Sequence, residues 1–252
     1  MAIKSLQVLY LGSDIMDKRL ITYRMDEGKM VETAFLGYLI RTDDGNILVD
    51  AGFHPEDIKK ALAIGRQINV RTEDQMPQRL KEAGLAMEDI KMVIMTHLHR
   101  DHVGWLEHLR HAEIIIQKEE YLAAINPAPY TSSFYVVERY NFPDMKWRLV
   151  DGDKILLPGL TILFTPGHSA GSQSIMVDLP KSGTILLVGD AGHIHENFVK
   201  ELTPGIFIDP AQAMLSIKRL NVWSQIRKAP IFPAHDLDYW REHMIKSPET
   251  YT

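Results

Sequence analysis

The feature that most constrains this chain is the run His-Leu-His-Arg-Asp-His at positions 97–102. Three imidazoles and a carboxylate directly follow the apolar segment 92–96, which is typical of a buried strand. Each buried polar side chain needs a partner, so such a dense cluster is costly in an ordinary core. Imidazole nitrogen and carboxylate oxygen are the ligands that zinc and similar divalent metals prefer. The run therefore predicts a metal site, and we expect two metals.

The spacing within this run divides its side chains between two directions. His97 and His99 lie two positions apart, so both can point to one side of an extended segment and reach one ion. Asp101 and His102 follow where the chain turns toward an expected helix near Val103, and they could face a second ion. The alternative, a solvated polar loop, is less attractive because ligand types recur at other strand ends.

Three further ligand-type side chains stand at the ends of apolar runs, namely His168, Asp190 and His235. A Pro-Gly turn separates His168 from the run 160–165, whereas Asp190 closes the run 185–190. Taken alone, each could be an ordinary turn or strand-ending residue. Together with the cluster, they indicate a rigid scaffold whose strand ends converge on one cleft.

The composition of the chain restricts the classes of protein and partner. Its 252 residues suffice for one large core and no linker divides them, so we expect a single domain over 1–252. The net charge of −5 argues against nucleic acid as a partner, and no apolar run could span a membrane or act as a secretory signal. The lack of cysteine fits a cytoplasmic enzyme and leaves only nitrogen and oxygen to hold a transition metal. The oligomeric state is not specified by these features.

Apolar and alternating runs bounded by turn residues predict strands interleaved with helices. The strands are expected at 6–11, 35–41, 47–50, 91–96, 113–117, 160–165, 174–179, 184–188 and 230–233. The helices are expected at 55–62, 77–83, 118–125 and 210–226. The segments 42–45 and 180–183 resemble hairpin turns, and the Pro-rich segment 127–143 is expected to be an irregular surface excursion. This order indicates two sheets with helices outside.

Beyond these local patterns, several motifs resemble those of the metallo-β-lactamase superfamily. They are Thr-His-Leu-His-Arg-Asp-His at 96–102, Thr-Pro-Gly-His-Ser at 165–169, Val-Gly-Asp-Ala at 188–191, Ala-His-Asp at 234–236 and Ile-Leu-Val-Asp-Ala-Gly at 47–52. Within the superfamily, the chain is similar to N-acyl-homoserine lactonases along nearly its whole length. The resemblance implies an α/β (α+β) fold, the four-layer αββα sandwich, with a dinuclear metal centre.

The resemblance also implies two ligand sets that share one member. One metal would be held by His97, His99 and His168, and the other by Asp101, His102 and His235, with Asp190 bridging both. Asp50 would orient a ligand without binding metal. Zinc is the first choice of cofactor for both positions, and manganese, iron and cobalt are alternatives under nitrogen and oxygen ligation.

A centre of this kind suits hydrolysis of a cyclic ester. Two ions about 3.5–4 Å apart can share a water and lower its pKa toward about 7, which makes a bridging hydroxide available. One ion would polarise the substrate carbonyl, and Asp101 could carry a proton to the departing alkoxide.

Two positions depart from the lactonase pattern. His193 stands where these lactonases have a tyrosine that assists the lactone carbonyl, and a histidine there either donates in the same way or only lines the cleft. Arg100 stands where they commonly have an aromatic residue, and the segment 63–70 lacks the aromatics of their acyl-chain pocket. A guanidinium beside the cleft would suit a carboxylate-bearing substrate, or it simply points to solvent.

The leading hypothesis is a metal-dependent lactone hydrolase acting on a small-molecule lactone, as an N-acyl-homoserine lactonase that quenches bacterial signalling. The alternatives are a lactonase for an acidic or aromatic lactone, resembling pyridoxolactonases, and a thioesterase resembling glyoxalase II. The latter class carries a basic C-terminal segment for glutathione, whereas only 17 residues follow His235 here. A non-catalytic binding module would lack ligands, yet all seven are present.

Overall fold

The computed structural model describes residues 2–246 and 249–252, and its strands form two sheets. Seven strands build the first sheet: β1 Ile3–Asp17, β2 Met30–Thr42, β3 Asn46–Val49, β4 Gln67–Asn69, β5 Ile90–Ile94, β6 Glu113–Gln117 and β7 Lys146–Val150. Their order across the sheet is β4-β1-β2-β3-β5-β6-β7. The strands β3, β5, β6 and β7 run parallel to one another, so their carboxyl ends lie at the same edge.

The second sheet is smaller and mainly antiparallel. It contains β8 Lys154–Leu157, β9 Leu160–Phe164, β10 Gln173–Leu179, β11 Gly183–Gly189 and β12 Ile231–Pro233. Their order is β12-β11-β10-β9-β8, and only β11 and β12 pair in parallel. The predicted hairpins are confirmed, because 42–45 joins β2 to β3 and 180–183 joins β10 to β11 in antiparallel register.

Within the described residues, six α-helices flank the sheets: α1 Pro55–Ala63, α2 Met76–Glu82, α3 Lys118–Ile125, α4 His195–Val199, α5 Pro210–Arg227 and α6 Leu237–His243. The longest, α5, begins as its sequence predicts. Asp209 caps it by accepting hydrogen bonds from the backbone N–H groups of Ala211 and Gln212, and Pro210 lies in its first turn.

Alternation of apolar side chains explains why the sheets are buried on both faces. In β3, Ile47 and Val49 pack in the core between the sheets, whereas Leu48 packs beneath the outer helices. In β11, Ile185 and Leu187 face the core between the sheets, and Leu186 and Val188 pack with α4 and α5 on the other side. The layers are therefore helix, sheet, sheet and helix, which confirms the predicted αββα sandwich.

The chain after His102 differs from the prediction. No α-helix begins near Val103 among the described residues there. A short 3-10 helix, Leu106–His108, follows a series of turns instead. The turns are required by a close approach, because Gly104 donates its backbone N–H to the Gly52 carbonyl at 2.7 Å and a Cβ at Gly104 would lie 2.4 Å from the His54 nitrogen.

The segment 127–143 also differs from the prediction. It is irregular, as expected, but it is not a simple surface excursion, since Tyr135 and Tyr140 are buried. Arg139 fixes it to the body of the molecule through ion pairs with Asp57 and Glu56, both at 2.8 Å. Buried charge pairing, which has no periodic signature in the sequence, thus holds this segment against the site.

Three short strands and two helices were not predicted. They are β4, β7, β8, α4 and α6. None of the helices in the described part of the chain has the length and apolar character needed to cross a membrane.

Candidate metal centre

Seven polar side chains meet where the carboxyl ends of the central strands face loops of the second sheet. The loop after β5 carries the 97–102 run, the loop after β9 carries His168, β11 is followed by Asp190, and β12 is followed by His235. Six of the seven side chains are buried, and Asp101 is partly exposed. The structure therefore brings together every ligand that the sequence predicts.

His97, His99 and His168 form what we call the three-histidine group. Nε2 of His168 lies 3.2 Å from Nε2 of His97 and 3.0 Å from Nδ1 of His99. Zinc–nitrogen bonds of about 2.0–2.1 Å would put tetrahedral ligands about 3.3 Å apart. The spacing of these nitrogens therefore suits one small cation.

Hydrogen bonds on the far side of the rings determine which nitrogens carry protons. Nδ1 of His168 donates to the Ile206 carbonyl at 2.9 Å, which leaves its Nε2 with a lone pair. The Thr96 hydroxyl has one proton, which it donates to Asp50 at 2.8 Å. It must then accept from Nδ1 of His97 at 3.1 Å, so Nε2 of His97 also has a lone pair.

Two lone pairs facing each other across 3.2 Å repel unless a cation lies between them. The hydrogen bonds of these rings therefore leave unprotonated nitrogens that fit a bound metal ion. Burial lowers the pKa of His168 to about 4, and it holds the pKa values of His97 and His99 well below the ordinary value. Neutral imidazole is the form that binds metal.

Asp101, His102 and His235 form the second set, which we call the carboxylate–histidine group. An Asp101 oxygen lies 3.8 Å from Nε2 of His102 and 3.9 Å from Nε2 of His235. Nδ1 of His235 donates to the Ala34 carbonyl at 2.7 Å, and Nδ1 of His102 donates to Asp50 at 2.8 Å. Nε2 of His102 has no hydrogen-bond partner among the described residues, as expected of an atom reserved for a ligand.

Asp190 lies between the two groups, and its carboxylate reaches imidazoles of both, with Nε2 of His235 at 3.1 Å from Oδ1 and 3.2 Å from Oδ2. Oδ2 is 3.3 Å from Nε2 of His168 and 3.8 Å from Nε2 of His97. Oδ1 is 3.1 Å from Nε2 of His235 and 3.5 Å from Nε2 of His102. Oδ1 is buried without a hydrogen-bond partner in the described part of the chain. This arrangement suits a carboxylate that contacts two cations at once.

Carboxylates give the second group a different electrostatic character. Burial opposes charge on His102, but Asp50 and Asp190 hold its pKa well above the ordinary value. Burial also opposes charge on His235, yet Asp190 raises its pKa to about 9. The surrounding imidazoles in turn hold the pKa of Asp190 well below the ordinary value, against the effect of burial. Burial would raise the pKa of Asp101, but His102 and His235 lower it.

Asp50 lies outside both groups and supports them from behind. Its backbone is in the left-handed region, with φ of 58°, which aims the carboxylate at the strand end. Besides its bonds to the Thr96 hydroxyl and to His102, it accepts from the Thr96 backbone N–H at 2.8 Å. Asp50 therefore orients His102 directly and His97 through Thr96, one ring in each group.

Glu120 was not singled out by the sequence, although it is wholly buried beside the three-histidine group. It accepts hydrogen bonds from the Leu98 N–H at 3.0 Å, the Ser169 hydroxyl at 2.6 Å and the Gly171 N–H at 2.9 Å. The Glu120 carboxylate thus holds together the loop after β5 and the loop after β9, both of which carry proposed metal ligands. A glutamate in the first turn of a helix gives no sequence signal for such a role.

Both departures from the lactonase pattern line the cavity above the metal-binding groups. His193 is buried, and its Nε2 lies 3.3 Å from Asp190 Oδ2. Arg100 lies on the cavity wall, partly buried. Arg66 and Phe134 also line the cavity and were missed, because only the tertiary fold brings them there. The Phe134 ring stacks on His99 with centroids 4.9 Å apart.

Comparisons with known proteins agree with this geometry. The sequence profile of the metallo-beta-lactamase superfamily matches residues 36–235. An N-acyl homoserine lactonase of Bacillus thuringiensis is 32% identical over 245 residues, which cover 94% of this chain and 95% of that protein. The N-acyl homoserine lactonase AttM of Rhizobium radiobacter is 31% identical over 179 residues, which cover 69% of this chain and 68% of that protein.

A solved structure gives the same result for the fold. It shows an N-acyl homoserine lactone hydrolase with the product N-hexanoyl-L-homoserine bound at its catalytic metal centre. It is 31% identical to this chain and matches it with a TM-score of 0.89 over 100% of both chains. The chain therefore belongs to the metallo-beta-lactamase superfamily and, within it, resembles the N-acyl homoserine lactonases along nearly its whole length.

Proposed function

We propose that this protein is a dinuclear metal-dependent hydrolase that opens a lactone. The observation that carries the proposal is the position of Asp190, whose carboxylate lies 3.3 Å from His168 of one ligand group and 3.1 Å from His235 of the other. The relatives supply the first substrate class to test, N-acyl homoserine lactones. Because the core between the sheets draws on both of them, we also propose that the chain forms a single hydrolase domain.

The proposed metal ligands are those of the two groups, with Asp190 shared between them. The three-histidine group would hold one divalent ion and the carboxylate–histidine group the other. Bound there, two ions would polarise the lactone carbonyl and activate a water at neutral pH. We propose zinc as the native metal, since tetrahedral imidazole and carboxylate ligation suits it.

Asp101 is the proposed proton carrier. Its side chain is 22% exposed and lines the cavity, whereas the Asp190 side chain is 5% exposed. With its pKa held low, Asp101 is ionised at neutral pH and can accept the proton of the attacking water. When the ring C–O bond breaks, it returns that proton to the departing alkoxide, and the product is a hydroxy acid.

His193 is the proposed donor to the substrate. Its buried ring lies at the cavity wall, in contact with Asp190, so the imidazole is held at a fixed position beside the reacting group. A ring N–H there can donate a hydrogen bond to a lactone oxygen, which replaces the phenol hydroxyl of the lactonase pattern.

The test is hydrolysis by the purified, metal-loaded protein, followed as acid release with a pH indicator. The panel contains N-acyl homoserine lactones of several chain lengths, unsubstituted γ-butyrolactone, a glutathione thioester and a β-lactam. We expect turnover of lactones and little or none of the other two classes. A preparation that holds two metals per chain but hydrolyses no lactone would rule the proposal out, and faster thioester turnover would favour the alternative hydrolase class.

A further inference from the structure

The cavity above the metal-binding groups has an unusual combination of walls. Its volume is about 270 Å³, and its floor is formed by His193 and five of the proposed metal ligands, namely His99, Asp101, His168, Asp190 and His235. Much of the remaining wall is apolar and is made of Met16, Ile21, Ile64, Phe134 and Ile206. Two guanidinium groups, those of Arg66 and Arg100, interrupt this apolar surface.

The two arginines differ in how their charge is balanced. Arg66 pairs with Asp14, which is buried and also accepts a hydrogen bond from the Thr33 hydroxyl at 2.6 Å. The Arg66 charge is therefore neutralised, and its guanidinium is fixed against the side of β1. It forms part of the wall and has an acidic partner of its own.

Arg100 has no such partner among the described residues. Within residues 2–246 and 249–252, its side chain makes no ion pair and no hydrogen bond. Its backbone is nevertheless well fixed, because its N–H donates to the Phe134 carbonyl at 2.9 Å and both sequence neighbours belong to the metal-binding groups. The two carboxylates that line the same cavity, Asp101 and Asp190, lie close to imidazoles instead.

A guanidinium that is partly buried beside a cavity and has no ion-pair partner among the described residues favours an anionic ligand there. Its planar donors match the two oxygens of a carboxylate, which can accept two parallel hydrogen bonds. An amide carbonyl, such as that of an N-acyl group, offers the guanidinium a single oxygen in place of two and balances no charge.

We propose that Arg100 determines specificity by binding a carboxylate that the substrate carries outside its lactone ring. This inference rests on the proposed function, because it concerns the substrate of the same site. The ring occupies the floor beside the metal-binding groups, and the carboxylate lies toward the wall formed by Arg100 and Phe134.

The experiment compares two lactones that differ in one group, γ-butyrolactone bearing a carboxylate on the ring carbon next to the ring oxygen, and the same ring bearing a carboxamide there. We expect the wild-type protein to show higher kcat/KM for the carboxylate. Arg100→Gln should lower the ratio between the two substrates by about 10- to 100-fold, the usual range for a lost charge-assisted hydrogen bond. Arg100→Lys keeps the charge without the planar fork and should fall between the two.

Arg110→Gln is the matched control, since Arg110 is exposed and lies outside this cavity, and it should leave the ratio unchanged. Equal kcat/KM for the two lactones in the wild type, or an equal effect of Arg100→Gln on both, would overturn the inference while leaving the lactonase proposal intact. Calorimetric binding of the ring-opened dicarboxylate and its monoamide gives a readout without turnover. If no lactone is hydrolysed, tighter binding of the dicarboxylate that Arg100→Gln abolishes would still support the anion site, and equal binding would overturn it.

Discussion

The two ligand groups of the site differ in the protonation of their imidazoles. The three-histidine group consists of neutral imidazoles whose lone pairs already face one another, and burial lowers their pKa values. The carboxylate–histidine group surrounds its imidazoles with Asp50, Asp101 and Asp190, which raise the pKa values of His102 and His235. A metal entering the first group meets free lone pairs, whereas a metal entering the second must displace protons. We therefore expect metal uptake by the second group to be the more pH-dependent of the two.

The largest effect is expected from a change at Asp190, because this residue contacts both the three-histidine group and the carboxylate–histidine group. In Asp190→Asn, one acceptor oxygen is replaced by an N–H₂ group. Both oxygen positions lie beside imidazole nitrogens, so in either orientation of the amide this group faces atoms proposed to bind metal and cannot itself act as a ligand. We expect at least one of the two metals to be lost and kcat/KM for a lactone to fall by more than the roughly 10- to 100-fold that removal of an outer partner costs. Metal analysis after gel filtration, combined with acid release, measures both effects.

The control for this variant is Asp178→Asn, which changes a partly exposed aspartate on the neighbouring strand β10, outside the metal-binding groups. It should retain both metals and wild-type turnover. Two tightly held metals and near-normal kcat/KM in Asp190→Asn would contradict a bridging role.

A substitution at Asp50 tests whether one carboxylate orients ligands of both metal-binding groups. Asparagine tolerates the left-handed backbone at this position, so Asp50→Asn removes the charge without adding backbone strain. We expect metal affinity to fall by about 10- to 100-fold, more in the carboxylate–histidine group, where Asp50 contacts His102 directly. Competition with a chelator of known affinity separates the two binding steps.

Thr96→Val is the matched variant, because it removes the hydroxyl that links Asp50 to His97 and leaves the bond from His102 in place. It should weaken only the three-histidine group, and Thr96→Ser should restore that group. Equal loss from both groups in Thr96→Val would show that the hydroxyl has no selective role.

Glu120 should produce the smallest effect, confined to the three-histidine group. Glu120→Gln replaces one acceptor oxygen by an N–H₂ group among the donors of Leu98, Ser169 and Gly171. We expect the free energy of unfolding to fall by about 1–3 kcal/mol and metal affinity of this group to fall about tenfold or less. Urea denaturation and chelator competition measure the two quantities.

Glu119→Gln, at the next position on the same helix but exposed, should change neither quantity. If Glu120→Gln lowered stability without changing metal affinity, its role would be in folding alone.

The elements that the sequence predicted well have strong local signals. The strand at 113–117 and the helix at 118–125 are found at the predicted residues, because an apolar run and a helical run meet there without ambiguity. The short strands β4 and β8 were missed, since only tertiary pairing with a neighbour makes such polar or brief segments extended.

The site shows the same division. The seven ligand-type residues could be found because imidazoles and carboxylates at the ends of buried strands are costly unless an ion or another polar partner compensates them, and their roles in binding metal stay predictions. Glu120, Thr96 and Arg66 could not be found, because their importance arises from contacts between segments far apart in the sequence. The segment 127–143 was misjudged for this reason as well.

The cavity joins a floor held at the ends of core strands to a wall that, apart from Arg100, is assembled from β1, the segment after α1, the short 3-10 helix Ser132–Phe134 and the loop before α5. These wall segments are separate in the chain, and none of them contributes a proposed metal ligand. Substitutions in them can alter which molecules enter without disturbing the reactive floor. Natural selection or engineering can therefore change substrate specificity one wall segment at a time, while the residues proposed to carry out hydrolysis stay the same.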